Sequence, residues 1–133
     1  MSLRRVSKRQ IAPLLAAVIW VVPAVAQADS PADLFTAQCA ACHTLSAKDP
    51  MRQGPNLGNV YGRKVGSVAG FAYSPDYTKA NFVWDAAHLD AYLANPASVL
   101  PDTYMAYQQP DAAIRAEIIG YLKQQAPLYA DGK

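Results

Sequence analysis

Cys39-Ala40-Ala41-Cys42-His43 is the stretch on which the reading of this chain turns. Its two cysteines are the only ones in 133 residues, which rules out a dense disulfide scaffold. Two thiols three residues apart, followed at once by a histidine, form the attachment signature of a c-type haem. At the end of a helix both thiols can reach the vinyl groups of one macrocycle as thioethers, and the adjacent imidazole then meets the iron. On average composition a chance match in a chain of this length arises roughly once in a thousand. Three plainer readings stand beside it. A thioredoxin-type redox pair wants a βαβ context, which the sequence lacks. A zinc site wants four ligands, and the chain offers one further histidine, His88, and no further cysteine. A short-loop disulfide suits an oxidising compartment but leaves the long loops without a core.

Working outward, a helix starts before the motif. Ser30 is an N-cap, Pro31 suits the first helical position and Asp33 follows three after the cap. That helix carries Leu34 and Phe35 and runs to about Cys39. From Thr44 to Phe82 the chain is rich in Gly, Pro, Ser and Tyr without a sustained period, which predicts loop with one short helix near Asp76–Lys79. Asp85 caps a helix bearing Leu89, Tyr92 and Leu93, stopped by Asn95-Pro96. A turn-rich stretch from Pro96 to Pro110 follows. Asp111 caps the last helix, whose Ile114, Ile118, Tyr121 and Leu122 fall on one face, and which is expected to end before Pro127. No strand pattern and no internal repeat appear. The fold class is all-α: three main helices, short helices, and loops too long to order themselves unless they wrap a bound prosthetic group.

Composition sets further bounds. The chain is 52% apolar and 17% charged, neither disordered nor a charged coil. Arg4, Arg5, Lys8 and Arg9 precede an apolar run from Ile11 to Ala26, broken by Pro13 and Pro23 and closing on Ala26-Gln27-Ala28. A basic start, a short apolar run and an A-x-A site read as a cleaved secretory signal, residues 1–28. An uncleaved anchor is the alternative, but no apolar stretch reaches the about 18 residues that span a bilayer. Residues 29–133 then form one domain, destined for the periplasm, with eight basic and ten acidic residues. A net charge of that sign argues against a nucleic-acid partner.

A haem iron needs a sixth ligand or an open face, and the candidates are Met51, Met105, His88 and the lysines. Here the chain resembles the class I c-type cytochromes, from about Pro31 to Gln125. Gly54-Pro55-Asn56-Leu57 is similar to the family segment whose proline carbonyl accepts a hydrogen bond from the proximal histidine. Tyr61-Gly62-Arg63-Lys64 resembles the loop whose arginine sits near a haem propionate. Tyr73 and Trp84 are spaced like the propionate-binding tyrosine and tryptophan. Tyr92-Leu93 resembles the helix whose tyrosine hydroxyl faces the axial sulfur, and Pro101-Asp102-Thr103-Tyr104-Met105 resembles the axial-methionine loop. The closing Ile118-Ile119-Gly120-Tyr121-Leu122 resembles the helix that crosses the first one near Phe35.

The resemblance implies one haem c held by Cys39 and Cys42, iron bound by His43 and Met105, and a cofactor pocket completed by Arg63, Tyr73, Trp84 and Tyr92. His88 is then a solvated helix residue. It implies an electron-transfer protein and not an enzyme: a monomeric one-electron carrier in a respiratory or related chain, meeting a redox protein donor and acceptor and binding no membrane strongly after signal cleavage. Two other functions remain open on the residues, a dedicated haem subunit of a larger oxidoreductase and an open-site haem protein acting on peroxide or a small gas. The sequence departs from the family in places. Gln38, Ala97, Tyr104 and Asp111 stand where the mitochondrial branch has a ring of lysines, so strong electrostatic steering is not expected. Asp102 replaces a glycine, a substitution that a left-handed backbone there would tolerate, and Tyr77 falls where an asparagine is common.

Overall fold

The computed structural model describes residues 29–129; the basic start, apolar run and cleavage site of residues 1–28 lie outside them. Five helices follow in order: α1 (Pro31–Gln38), α2 (Pro75–Lys79), α3 (Ala86–Ala94), α4 (Pro96–Val99) and α5 (Ala112–Tyr129). Among the described residues the only strand-like pairing is one antiparallel bridge between Lys64 and Val83. The all-α expectation holds. No described helix is long and apolar enough to cross a membrane.

Local chemistry sets the helix starts. Ser30 Oγ accepts from the Asp33 amide at 3.2 Å and the Asp33 carboxylate accepts from the Ser30 amide at 3.3 Å, a reciprocal cap on α1. Asp85 Oδ1 accepts the His88 amide at 2.8 Å and starts α3. Asp111 Oδ1 accepts the Ala113 amide at 2.8 Å and starts α5.

Two expectations are corrected. The Pro96–Pro110 stretch contains the single turn α4, begun by Pro96 at a position where a missing N–H costs nothing. The last helix does not end before Pro127 but runs through it to Tyr129. Proline removes one hydrogen bond, and so close to the helix end little backbone pairing lies beyond it. Ala126 and Pro127 also border a shallow depression with Asn59, Tyr61 and Gly62, and Lys123 Nζ lies 5.4 Å from the centre of the Tyr61 ring.

α5 is the spine of the packing. It lies against both α1 and α3. Phe35 meets Tyr121 with ring centres 5.6 Å apart, and Ile118, beside them in the core, is wholly buried. Arg115 Nε donates to Asp90 Oδ1 at 2.7 Å and ties α5 to α3. The long segment before α2 is ordered by backbone pairing: Gly62 N–H to Trp84 O at 2.8 Å, Trp84 N–H to Arg63 O at 2.9 Å and Val65 N–H to Phe82 O at 3.0 Å. Gly66 has φ +66°, and a Cβ there would lie 2.8 Å from the Tyr77 carbonyl oxygen, so the turn needs glycine. Ile118→Ala should cost about 2–5 kcal/mol, the range for emptying a fully packed aliphatic site. Urea unfolding would read it as a lower midpoint with an unchanged slope.

Candidate functional site

α1 stops at Gln38, and the chain coils tightly once more: the Cys42 and His43 amides both donate to the Cys39 carbonyl, at 3.1 and 2.9 Å. Cys39, Cys42 and His43 thereby share one side of a cavity of about 360 Å³. The 54–57 segment is laced to this coil by Gly54 N–H to Cys42 O at 2.8 Å and Leu57 N–H to Thr44 O at 2.7 Å. That lacing sets the Pro55 carbonyl 2.8 Å from His43 Nδ1. A carbonyl only accepts, so Nδ1 carries the ring proton and Nε2 keeps its lone pair. Burial holds the His43 pKa below its ordinary value; the Pro55 hydrogen bond opposes this and the Arg63 charge adds to it. The ring is therefore a neutral donor with a fixed tautomer, as metal ligation requires. Gly54 makes this possible, because a Cβ there would overlap the imidazole.

Both cysteines are free thiols. Burial, with Cys42 nearby adding to it, pushes the Cys39 thiol up to about 11. That shift is opposite to the one that activates a nucleophilic thiol, and the described residues contain no βαβ unit, the context a thioredoxin-type pair wants.

All eight residues singled out in the sequence, Cys39, Cys42, His43, Arg63, Tyr73, Trp84, Tyr92 and Met105, line this one cavity. They come from the coil after α1, the 54–73 loops, the segment before α3, α3 itself and the loop between α4 and α5. His88 does not line it: its Nδ1 lies 2.8 Å from Asp85 Oδ1 and its ring stacks on Phe82 at 4.3 Å. Met51 is 46% exposed and also lies outside the lining.

The polar groups of the cavity gather on named side chains. Arg63 Nη2 donates to the Asn56 carbonyl at 2.9 Å and Nη1 reaches the Asn59 side chain. No carboxylate among the described residues pairs with it, and burial lowers its pKa. The Tyr73 hydroxyl accepts the Val68 amide at 3.3 Å, which leaves its own proton to give. Ser74 was not anticipated in the sequence. It stands at the N-cap of α2, yet its side chain makes no capping bond. It is 1% exposed, and its hydroxyl has no hydrogen-bond partner. Ser-Pro at a helix start reads as a cap, and that hid this role. A half-buried guanidinium without a carboxylate and an orphaned buried hydroxyl on the same cavity fit a ligand with anionic arms. Two free thiols and an imidazole lone pair fit a covalently held metal macrocycle.

Tyr92 has polar partners on two other segments. Its hydroxyl bonds to Thr103 Oγ1 at 2.6 Å and to the Tyr77 hydroxyl, while Tyr77 and Thr103 lie 3.3 Å apart. The three hydroxyls thus form one cluster on the cavity wall beside the Met105 loop. Burial raises the pKa of Tyr92 well above the ordinary tyrosine value. Gln38 is a further residue whose part was unforeseen: its Oε1 accepts from Gln109 Nε2 at 2.8 Å and from the Tyr107 hydroxyl, tying the Met105 loop to α1.

With this geometry in place, similarity to known proteins becomes informative. No protein-family profile matches the chain. It is 41% identical over 97 residues to the cytochrome c of Theileria annulata, covering 70% of this chain and 81% of the relative. It is 39% identical over 94 residues to the cytochrome c of Chlamydomonas reinhardtii, covering 68% and 82%. It is 38% identical over 97 residues to that of Cochliobolus lunatus, covering 71% and 88%.

Gly54→Ala should push the His43 ring or its loop aside and cost about 1–3 kcal/mol, as overpacking does. Gly120→Ala, where a Cβ meets nothing within 4 Å, should instead raise stability by up to about 1 kcal/mol through helix propensity. Paired denaturant midpoints check both signs.

Proposed function

The chain belongs to the class I c-type cytochromes, and from that premise we propose that it is a periplasmic one-electron carrier of a respiratory or related chain. The family is one of electron-transfer proteins, not enzymes, and holds haem c covalently. The observation that carries the reading is the His43–Pro55 hydrogen bond, which leaves Nε2 as a neutral donor on a cavity that also holds two free thiols and Met105.

Haem c, when bound, supplies an iron that gains or loses one electron. In our reading the chain's residues do the rest. Cys39 and Cys42 would hold the haem through thioethers, each thiol S–H adding across one vinyl group, so that it would not dissociate. His43 would offer its Nε2 lone pair and Met105 its thioether sulfur. A neutral sulfur ligand favours the reduced state and raises the potential. Arg63 sets a cation, and Tyr73, Ser74 and Trp84 offer hydrogen-bond groups, for the propionates. Packed side chains hold the ligands still between the two redox states, which keeps reorganisation small. The periplasmic assignment is supported by the basic start, apolar run and A-x-A site of residues 1–28.

Protein from a haem-c-maturing host should show sharp c-type bands on reduction and a weak long-wavelength sulfur–iron band when oxidised. Met105→Ala should abolish that band, lower the potential and admit external ligands while the haem stays attached; an unchanged potential removes Met105 from the site. Cys39→Ser with Cys42→Ser should yield no covalent haem. The mature protein should be recovered in the periplasmic fraction, and its mass should place the N-terminus at Asp29. A retained residues 1–28 would make it an anchored cytochrome instead.

A further inference from the structure

Two short segments 26 residues apart in sequence grip each other beside the cavity. The Asp76 amide, in the first turn of α2, donates to both carboxylate oxygens of Asp102, at 3.1 and 3.0 Å. The Asp102 amide donates back to Asp76 Oδ2 at 3.1 Å. The next residue of each segment continues the grip, with the Tyr77 hydroxyl 3.3 Å from Thr103 Oγ1. Thr103 Oγ1 in turn accepts the Met105 amide at 3.3 Å. Asp102 is the residue that stands in place of the family's glycine, and no described non-glycine residue has a positive φ. The side chain is therefore not a tolerated passenger at a left-handed turn; it is half of a reciprocal clasp.

We propose that Asp76 and Asp102 are positioning residues for Met105, and that their clasp sets how readily the Met105 loop swings off the iron to admit an outside ligand. This rests on the reading of Met105 as the distal ligand. Each half of the clasp is a carboxylate accepting an amide proton, the stronger class of hydrogen bond. The two carboxylates are brought close together, and Lys79 Nζ, 3.6 Å from Asp76 Oδ1, offsets their repulsion. The loop's other tether, Gln38 with Tyr107 and Gln109, lies on the far side of Met105 in sequence. Between the two tethers, Tyr104 is 79% exposed and adds little hold of its own. Releasing Met105 on the Asp102 side thus requires the clasp to open.

The test uses the ferric haem-loaded protein and imidazole as the external ligand. Asp102→Ala and Asp76→Ala should each raise imidazole affinity and binding rate about fivefold, the factor for a lost charge-assisted hydrogen bond at a half-exposed site. The double variant should gain little beyond either single one, because both halves guard one opening event. Asp102→Asn keeps an acceptor and should fall between. Asp90→Ala, which breaks the tie to Arg115 on α5, controls for general destabilisation and should leave imidazole binding unchanged. Lower denaturant midpoints in the clasp variants with imidazole binding unchanged would overturn the proposal. Absence of the sulfur–iron band in the unsubstituted protein would overturn the Met105 reading, and the clasp's role with it. If Asp102→Ala does not fold, Asp76→Ala and Asp102→Asn carry the same comparison.

Discussion

The hydrogen bond between His43 Nδ1 and the Pro55 carbonyl is the constraint on which the rest depends. It fixes the ring's orientation and its tautomer, and with them which nitrogen keeps its lone pair. The bond in turn requires the 54–57 segment to lie flat against the coil after α1, and that close approach is open only to a glycine at position 54. A neutral, oriented imidazole is thus a property of backbone packing as much as of the histidine itself. The same coil presents Cys39 and Cys42 beside it, so one turn of chain supplies every group needed to attach and ligate a haem from one side.

The other groups of the cavity answer a different demand. Arg63 is half-buried among asparagines with no carboxylate partner among the described residues, and Ser74 keeps an orphaned hydroxyl 1% exposed. Both would be costly in a plain apolar core. They are sensible next to the anionic arms of a cofactor, which would complete their bonding. The long irregular segment before α2 is held in the same way, by its pairing with the 82–84 strand-like stretch and by apolar side chains turned inward. A loop of this length is ordered because it is wall rather than connection.

The Met105 side of the cavity is walled by uncharged side chains. Gln38, Gln53, Tyr104, Ala106 and Tyr107 line the cavity on this side, and Gln38 is engaged with Tyr107 and Gln109 rather than offered to a partner. The loop's internal grip is polar: the clasp at Asp102, the hydroxyl cluster at Thr103 and the amide tie at Gln109 hold it from both ends.

Much of this was legible in the sequence. The Cys39–His43 spacing, the caps at Ser30, Asp85 and Asp111, and the apolar face of the last helix are local patterns, set by covalent reach and by residues within one or two turns. They determined an all-α chain with an attachment site for a macrocycle, and the resemblance named the residues that line its cavity. What only the tertiary structure decided mostly involves partners far apart in the chain. Pro127 does not end α5, because so close to the helix end its missing N–H removes one hydrogen bond with little pairing beyond it. Ser74 stands at the N-cap of α2, yet its hydroxyl makes no capping bond and is left unpaired on the cavity. Asp102 looks like a tolerated replacement for glycine and is instead bonded to Asp76, 26 residues away. Local sequence carries the propensities, but the pairing of distant polar groups is fixed by which surfaces the fold brings together, and no spacing rule along the chain encodes that.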